Sequence, residues 1–207
     1  MQLYTIGHST YPVDHFLELI RKYNIQYVID VRSIPYSRFA SQYNSEVLKK
    51  DLRGINVEYF HMDKSFGARQ TDIRYYNSDG YLDFELFRKS DAFIKGVQNI
   101  IKGLKQYNIA LMCTEKKPID CHRAIMVARG FELHGVSVQH ILHDGSTMSQ
   151  TELDQLLLDM YFPDRNQITL FDVGKDKNEE DYLIEAYRLR NKEIGYRYSS
   201  DKEGVND

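Results

Sequence analysis

Short apolar runs alternate with helix-period segments along most of the chain, and that order restricts it to a parallel sheet with helices laid over it. Strands are expected at residues 3–6, 27–31, 57–60, 109–112 and 136–141, none of them broken by proline. Residues 27–31 and 109–112 are apolar on both faces, which marks them as central strands buried between two helical layers. Pro12 opens a helix whose Val13, Phe16, Leu17 and Ile20 form one stripe that stops near Asn24. Asn44 is placed to cap a short helix through about Arg53, with Gly54 beyond its end. Phe93, Val97, Ile100, Ile101 and Leu104 mark a longer helix, and another runs over residues 121–134 with Gly135 as its stop. Ser149 and Glu152 make a capping box for a helix that Pro163 ends.

At 207 residues the chain has room for one ordinary domain. The expected organisation is an α/β domain over residues 1–163 and a C-terminal extension over residues 164–207. The domain is a mainly parallel sheet of about five strands with helices on both faces. The extension carries one helix that begins at Asn178, with Leu183, Tyr187 and Ile194 spaced to pack on the body, and its last dozen residues are expected to be disordered. From residue 172 onward there are 7 Lys and Arg against 10 Asp and Glu, so the extension holds the net charge of −3 and the body before it is balanced. A balanced body has no long-range field with which to gather nucleic acid, so an anion must be gripped by a local arrangement of Arg and Lys. No apolar run approaches the roughly 20 residues of a membrane span. The N-terminus lacks the pattern of a signal peptide. The expected location is the cytoplasm, with no membrane partner and both cysteines kept as thiols.

Reactive side chains follow every strand. His8 and Ser9 come after the first, Asp30 and Arg32 at the end of the second, and His61 and Asp63 after the third. Cys113 and Glu115 follow the fourth, His143 and Asp144 the fifth. In an open parallel sheet, ligands bind at these carboxyl ends. Asp30 and Arg32 share one side of their strand and either orient a ligand phosphate or satisfy each other. Tyr36, Ser37 and Arg38 follow in a loop without acids, suited to phosphate oxygens and a planar ring. A second loop over residues 64–81 brings Arg69, Arg74, Tyr75 and Tyr76, and its length fits a binding loop or a lid.

Cys121, His122 and Arg123 open a helix, where free backbone N–H groups favour an anion or a thiolate. Asp120 is expected to cap that helix. Glu115 beside Cys113 fits acid–base work next to a nucleophilic thiol, against the alternative of a buried, inert cysteine. A cysteine phosphatase or sulfurtransferase loop would need Arg six positions from the cysteine, where this chain has Ile119 and Val127. Structural zinc thiols usually come in pairs two to four residues apart. Here seven residues separate the two cysteines, so no metal is assigned, although Cys113, Cys121 and a nearby His retain the chemistry to bind one. No Gly-rich dinucleotide or P-loop pattern is present, and no cofactor is expected.

Three linked stretches occur in a recognisable order. They are Thr5-Ile6-Gly7-His8-Ser9; Asp30-Val31-Arg32 with Pro35, Ser37 and Arg38; and Leu111-Met112-Cys113 with Glu115, Pro118, Cys121, His122 and Arg123. Over about residues 3–142 the chain resembles the domain of unknown function 488 family. The resemblance implies a bacterial or archaeal cytoplasmic α/β domain and brings no established reaction. Where the family tends to carry Leu-Gly-Gly-Arg after the third strand, this chain reads Phe66-Gly67-Ala68-Arg69.

The leading expectation is an enzyme acting on a phosphate-bearing ligand, a nucleotide or nucleic acid. Cys113, Glu115, Asp30 and His8 would carry the chemistry. Arg32, Arg38, Arg69 and Arg123 would hold the anion with Ser37, Cys121 and His122 beside them, and Tyr36 or Tyr75 would stack on a base. The alternatives are a non-catalytic nucleic-acid or phosphometabolite binding module and, third, a thiol redox sensor joining Cys113 and Cys121.

Overall fold

In a computed structural model, whose described residues are 1–165 and 178–198, the chain forms one six-stranded sheet with helices on both faces. The elements run β1 (Gln2–Gly7), α1 (Val13–Lys22), β2 (Tyr27–Asp30), α2 (Ser45–Arg53), β3 (Glu58–His61), α3 (Asp63–Phe66), α4 (Phe84–Arg88), α5 (Asp91–Gly103) and β4 (Ile109–Cys113). A helix then begins with π geometry at Arg123–Ala128 and continues as α6 (Arg129–Glu132). β5 (Ser137–Ile141), β6 (Thr147–Ser149), α7 (Gln150–Tyr161) and α8 (Glu179–Ile194) complete it. The strand order is β3-β2-β4-β1-β5-β6, and only β6 is antiparallel to its neighbour. The expected disorder of the last dozen residues falls mostly outside the described residues.

Alternation along the strands sorts the core into two layers. Ile6, Val28, Ala110, Met112 and Ile141 face α1 and α2, where Phe16, Ile20, Leu48 and Leu52 meet them. Leu3, Ile29, Val31, Leu111, Cys113 and Val138 face the other way, onto α5, the Arg123–Ala128 segment, α6 and α7. β4 is buried at every position and lies at the centre, as expected from its apolar run, whereas β2 lies one place in from the edge strand β3. The chain leaves β1 toward β2 and leaves β4 toward β5, in opposite directions across the sheet. The crevice that such a reversal opens lies at the carboxyl ends of β1 and β4, next to His8 and Cys113.

Several local expectations change. Asn44 sits at the N-cap of α2, but its Oδ1 accepts from the Ser37 N–H at 2.7 Å and so braces the preceding loop instead of capping the helix. Asp120 makes no cap bond; its carboxylate pairs with Arg190 of α8. The stretch 64–81 is not a plain loop: it takes in the end of α3 and a 3-10 turn at Ile73–Tyr75, and its Tyr81 bridges to Arg197. β6 carries no apolar run and escapes notice by pattern alone. The capping boxes at Ser149 and at Asn178 are both formed. No helix among the described residues is long and apolar enough to cross a membrane.

α8 lies on the domain. Leu183, Ala186 and Tyr187 are buried against it, and the Tyr187 hydroxyl bonds Asp154 and accepts from Gln150 at 2.7 Å. Arg190 reaches the Ile119 carbonyl at 3.0 Å as well as Asp120.

Candidate functional site

The site begins at the β1–β4 pair. Gly7 pairs with Cys113, and the pairing continues beyond both strands through His8 N–H to the Cys113 carbonyl at 3.0 Å and Ser9 N–H to the Thr114 carbonyl at 2.8 Å. The strand therefore hands the chain after Cys113 directly over Gly7. A Cβ at Gly7 would stand 1.9 Å from the Glu115 carbonyl oxygen, so only glycine fits there. A 3-10 turn at Pro118–Asp120 then returns the chain, and Cys121 arrives beside Cys113. The Cys113 and Cys121 thiols both donate to Glu115 Oε2, at 3.1 and 2.9 Å. His122 Nδ1 lies 3.7 Å from Cys113 Sγ, while its Nε2–H donates to the Val31 carbonyl at 3.0 Å.

Arg123 is fully buried. Its guanidinium donates to the carbonyls of Glu115 at 2.5 Å and Lys116 at 3.2 Å, which fastens the loop, and its backbone N–H points at Cys121 Sγ at 3.4 Å. Burial pushes the Cys113 thiol well above the usual thiol range, with the Cys121 hydrogen bond and charge adding to it. Burial acts the same way on Cys121, but the Cys113 hydrogen bond, the Arg123 charge and His122 outweigh it and hold that thiol well below the usual range. The Glu115 carboxyl is raised by burial and by the charge of Cys121.

Beside this cluster stands a second one. Asp30 Oδ1 accepts from the Arg32 backbone N–H at 3.0 Å and from Arg32 Nε at 2.9 Å; Oδ2 accepts from Arg32 Nη2 at 2.6 Å and from the Tyr59 hydroxyl at 2.7 Å. Arg32 Nη2 also reaches the Tyr43 carbonyl at 2.8 Å. His8 Nδ1 bonds its neighbour's carbonyl, that of Ser9, at 2.6 Å. Its Nε2 therefore faces Arg32 Nη1 at 3.2 Å as an acceptor, and the ring stacks on Tyr43 with centroids 4.0 Å apart. Burial and the Arg32 charge lower the His8 pKa to about 4, so the imidazole is neutral. Asp30, Arg32 and His8 are brought together as expected, but their polar atoms are spent on one another.

A cavity of about 370 Å³ opens over both clusters. Cys113, Glu115 and His122 lie on its floor next to Arg32, and Tyr36 and Arg69 stand at its walls. Arg69 is exposed, and its guanidinium lies 4.6 Å over the ring of Tyr196. Its backbone N–H donates to Ser33 Oγ at 2.8 Å. Gly67 lets this loop approach, since a Cβ there would come within 2.9 Å of Ser33 Oγ. Ser37 and Arg38 lie outside the cavity, and Tyr75 packs edge-on against Phe87 at 5.3 Å. Ser33, Ile34, Ala68, Thr114, Asp120 and, from the extension, Ile194 and Tyr196 complete the lining. Tyr196 follows Gly195 in a Tyr-Arg-Tyr run, the one signal by which it could have been singled out.

A family model described as "Domain of unknown function DUF488" matches residues 12–129, more than half of the chain. The chain belongs to the DUF488 family. The match takes in Asp30, Arg32, Arg69, Cys113, Glu115 and the Cys121-His122-Arg123 run. The searches of curated proteins and of solved structures gave no match. Outside the DUF488 match lie the His8 turn, which β1 supplies, and α8 with Tyr196. This DUF488 chain therefore completes its cavity with two residues from beyond the match, Ile194 and Tyr196.

Proposed function

We propose that this chain is an enzyme acting on a small phosphate-bearing molecule, of mononucleotide size or below, in the cavity at the carboxyl edge of the sheet. The observation that carries the reading is the convergence of Cys113, Glu115 and His122 on the floor of a cavity whose rim offers an exposed arginine laid over the Tyr196 ring. Its volume of about 370 Å³ is at the small end of ligand pockets and suits a nucleotide better than a nucleic-acid strand. Arg69 has no ion-pair partner among the described residues and is the cation left to meet a phosphate; the Tyr196 ring holds Arg69, and Tyr36 is the ring left to stack. Glu115, its carboxyl raised by burial, is the group suited to give and take a proton.

The test is a panel of nucleotides and phosphorylated metabolites, scored by thermal shift and by product analysis. For a processed compound, Arg69→Ala raises KM and Glu115→Gln lowers kcat. Turnover by both Cys113→Ser and Glu115→Gln at the parent rate would sink the catalytic reading. A binding module without turnover is favoured by one observation: Cys113 is only 2% exposed, as an inert structural thiol would be. Tight binding without product by the parent protein is its signature.

A further inference from the structure

The sulfur cluster has the donor set and the orientation of a metal site. We infer that Cys113, Cys121 and His122 bind a soft divalent cation, zinc by its chemistry, with the fourth position open to the cavity beside Glu115. The two sulfurs, a His122 ring nitrogen and a Glu115 carboxylate oxygen lie within 4.8 Å of one another. Zinc–sulfur bonds of about 2.3 Å and zinc–nitrogen bonds of about 2.0 Å, set tetrahedrally, place donors roughly 3.5–4 Å apart. Small adjustments close the cluster onto one ion. Two thiols and an imidazole select zinc over magnesium or calcium, which take oxygen donors.

Two further observations point the same way. His122 donates its Nε2–H to the Val31 carbonyl, which fixes the ring's orientation and turns Nδ1 toward the sulfurs. Metal-binding histidines are held by an outer carbonyl or carboxylate in this manner. Arg123 is a fully buried cation with no carboxylate in ion-pair range among the described residues, and its Nε has no hydrogen-bond partner. Burying such a charge is costly unless something nearby balances it. Two thiolates and the Glu115 carboxylate together match a divalent cation plus the guanidinium.

The wide spacing of the two cysteines, which argues against zinc on sequence, loses its force because the turn at Pro118–Asp120 folds the intervening residues back. Cys113, Glu115 and His122 line the cavity, so the ion's remaining position faces it, as in zinc sites that keep three protein ligands and an exchangeable fourth. The inference does not depend on which ligand the cavity takes.

The test uses the full chain, reduced and stripped with a chelator, then titrated with zinc alone and with cobalt alone. Expected are one zinc per chain, a rise in Tm with zinc, and a thiolate-to-cobalt charge-transfer band in the ultraviolet. Cys113→Ser and Cys121→Ser each weaken that band and lose the zinc-dependent rise in Tm; His122→Ala loses the rise as well. Glu115→Gln keeps the stoichiometry and the band. Where a cysteine variant fails to fold, alkylation of the unsubstituted protein decides: zinc slows the modification of both thiols. Absence of the cobalt band with both thiols reduced overturns the inference. So does a mass loss of two hydrogens in place of metal uptake, which marks a redox pair, and so does loss of the metal in Glu115→Gln, which marks a closed four-ligand site. Zinc uptake without turnover of any phosphate compound would sink the enzyme reading and leave the metal site standing. Turnover by the stripped protein, unaffected by Cys121→Ser, would do the reverse.

Discussion

The Asp30–Arg32 cluster and the Cys113–Cys121 cluster sit side by side at the same sheet edge, and in sequence both look like chemistry. Their hydrogen-bond inventories differ. Both Asp30 oxygens are filled, by Arg32 and Tyr59, and the Arg32 guanidinium is divided among Asp30, Tyr43 and His8. In the sulfur cluster, one carboxylate oxygen serves two thiols, and the His122 Nδ1 stands 3.7 Å from the Cys113 sulfur. The first cluster is closed and holds the floor rigid; the second has acceptors to spare and faces the cavity. A charged pair at a strand end is therefore no index of reactivity until its remaining valences are counted.

Removing one partner from the closed cluster is expected to give the largest effect on folding. Asp30→Ala strands the Arg32 guanidinium at 5% exposure and leaves the Tyr59 hydroxyl without its acceptor. A loss of about 3–5 kcal/mol is expected, read as a fall in the urea midpoint. A loss below about 1 kcal/mol would mean that the pair is not what holds the floor. The open cluster should respond in the opposite sense. Glu115→Gln is expected to leave the urea midpoint nearly unchanged and to lower kcat by about 10²–10⁴ on whichever phosphate compound is turned over. Equal damage to stability by both substitutions would erase the distinction between the clusters.

The architecture was legible because burial on both faces leaves an apolar run that periodicity detects, as at Ile109–Cys113. β6 was not, since its three residues, Thr147, Met148 and Ser149, pair with the edge of β5 and carry a single apolar side chain. The site residues at strand ends could be named from sequence, but not what each is bonded to. Arg123 reads as an anion ligand at a helix start; only the passage of the chain over Gly7 shows that backbone carbonyls consume its guanidinium. Tyr196 lies beyond a helix that had to dock before its ring could reach Arg69, so no local pattern could assign it to the cavity.

A second closed network allows the same contrast to be drawn by pH. His140 accepts from the Thr5 hydroxyl at Nδ1 and donates from Nε2 to Gln150, both at 2.8 Å, and Gln150 continues to Tyr187 of α8. Burial and the Arg123 charge lower its pKa from 6.5 to about 3. The folded state therefore holds the neutral ring, and the unfolded state takes up the proton first. This contribution to stability is complete above pH 6.5 and is lost as the pH falls toward about 3, by up to about 1.4 kcal/mol per pH unit. Urea titrations across that window should show the slope, and His140→Gln should remove one proton's share of it. An NMR signal of the ring that titrates near 6.5 in the folded protein would refute the closed state of this network.

The smallest expected effect tests whether the extension belongs to the open region. Tyr196 lies under Arg69 on the cavity wall, while the chain just before it is tied down separately through Arg190 and through Asn191, whose side chain holds Phe84 N–H at 2.8 Å and the Leu82 carbonyl at 2.9 Å. Tyr196→Ala should therefore leave α8 docked. It removes an exposed cation–π contact worth about 0.5–1 kcal/mol, and with it the restraint on Arg69. The expected outcome is a KM higher by about two- to fivefold for a phosphate ligand, at unchanged kcat and nearly unchanged Tm. Tyr196→Phe keeps the ring face and should restore the parent KM. Were Tyr196→Ala to lower kcat with KM unchanged, the ring would act on the reacting centre and not on the arginine. Were it to change neither, the cavity would be complete without the extension, and the open region would end where the family match ends.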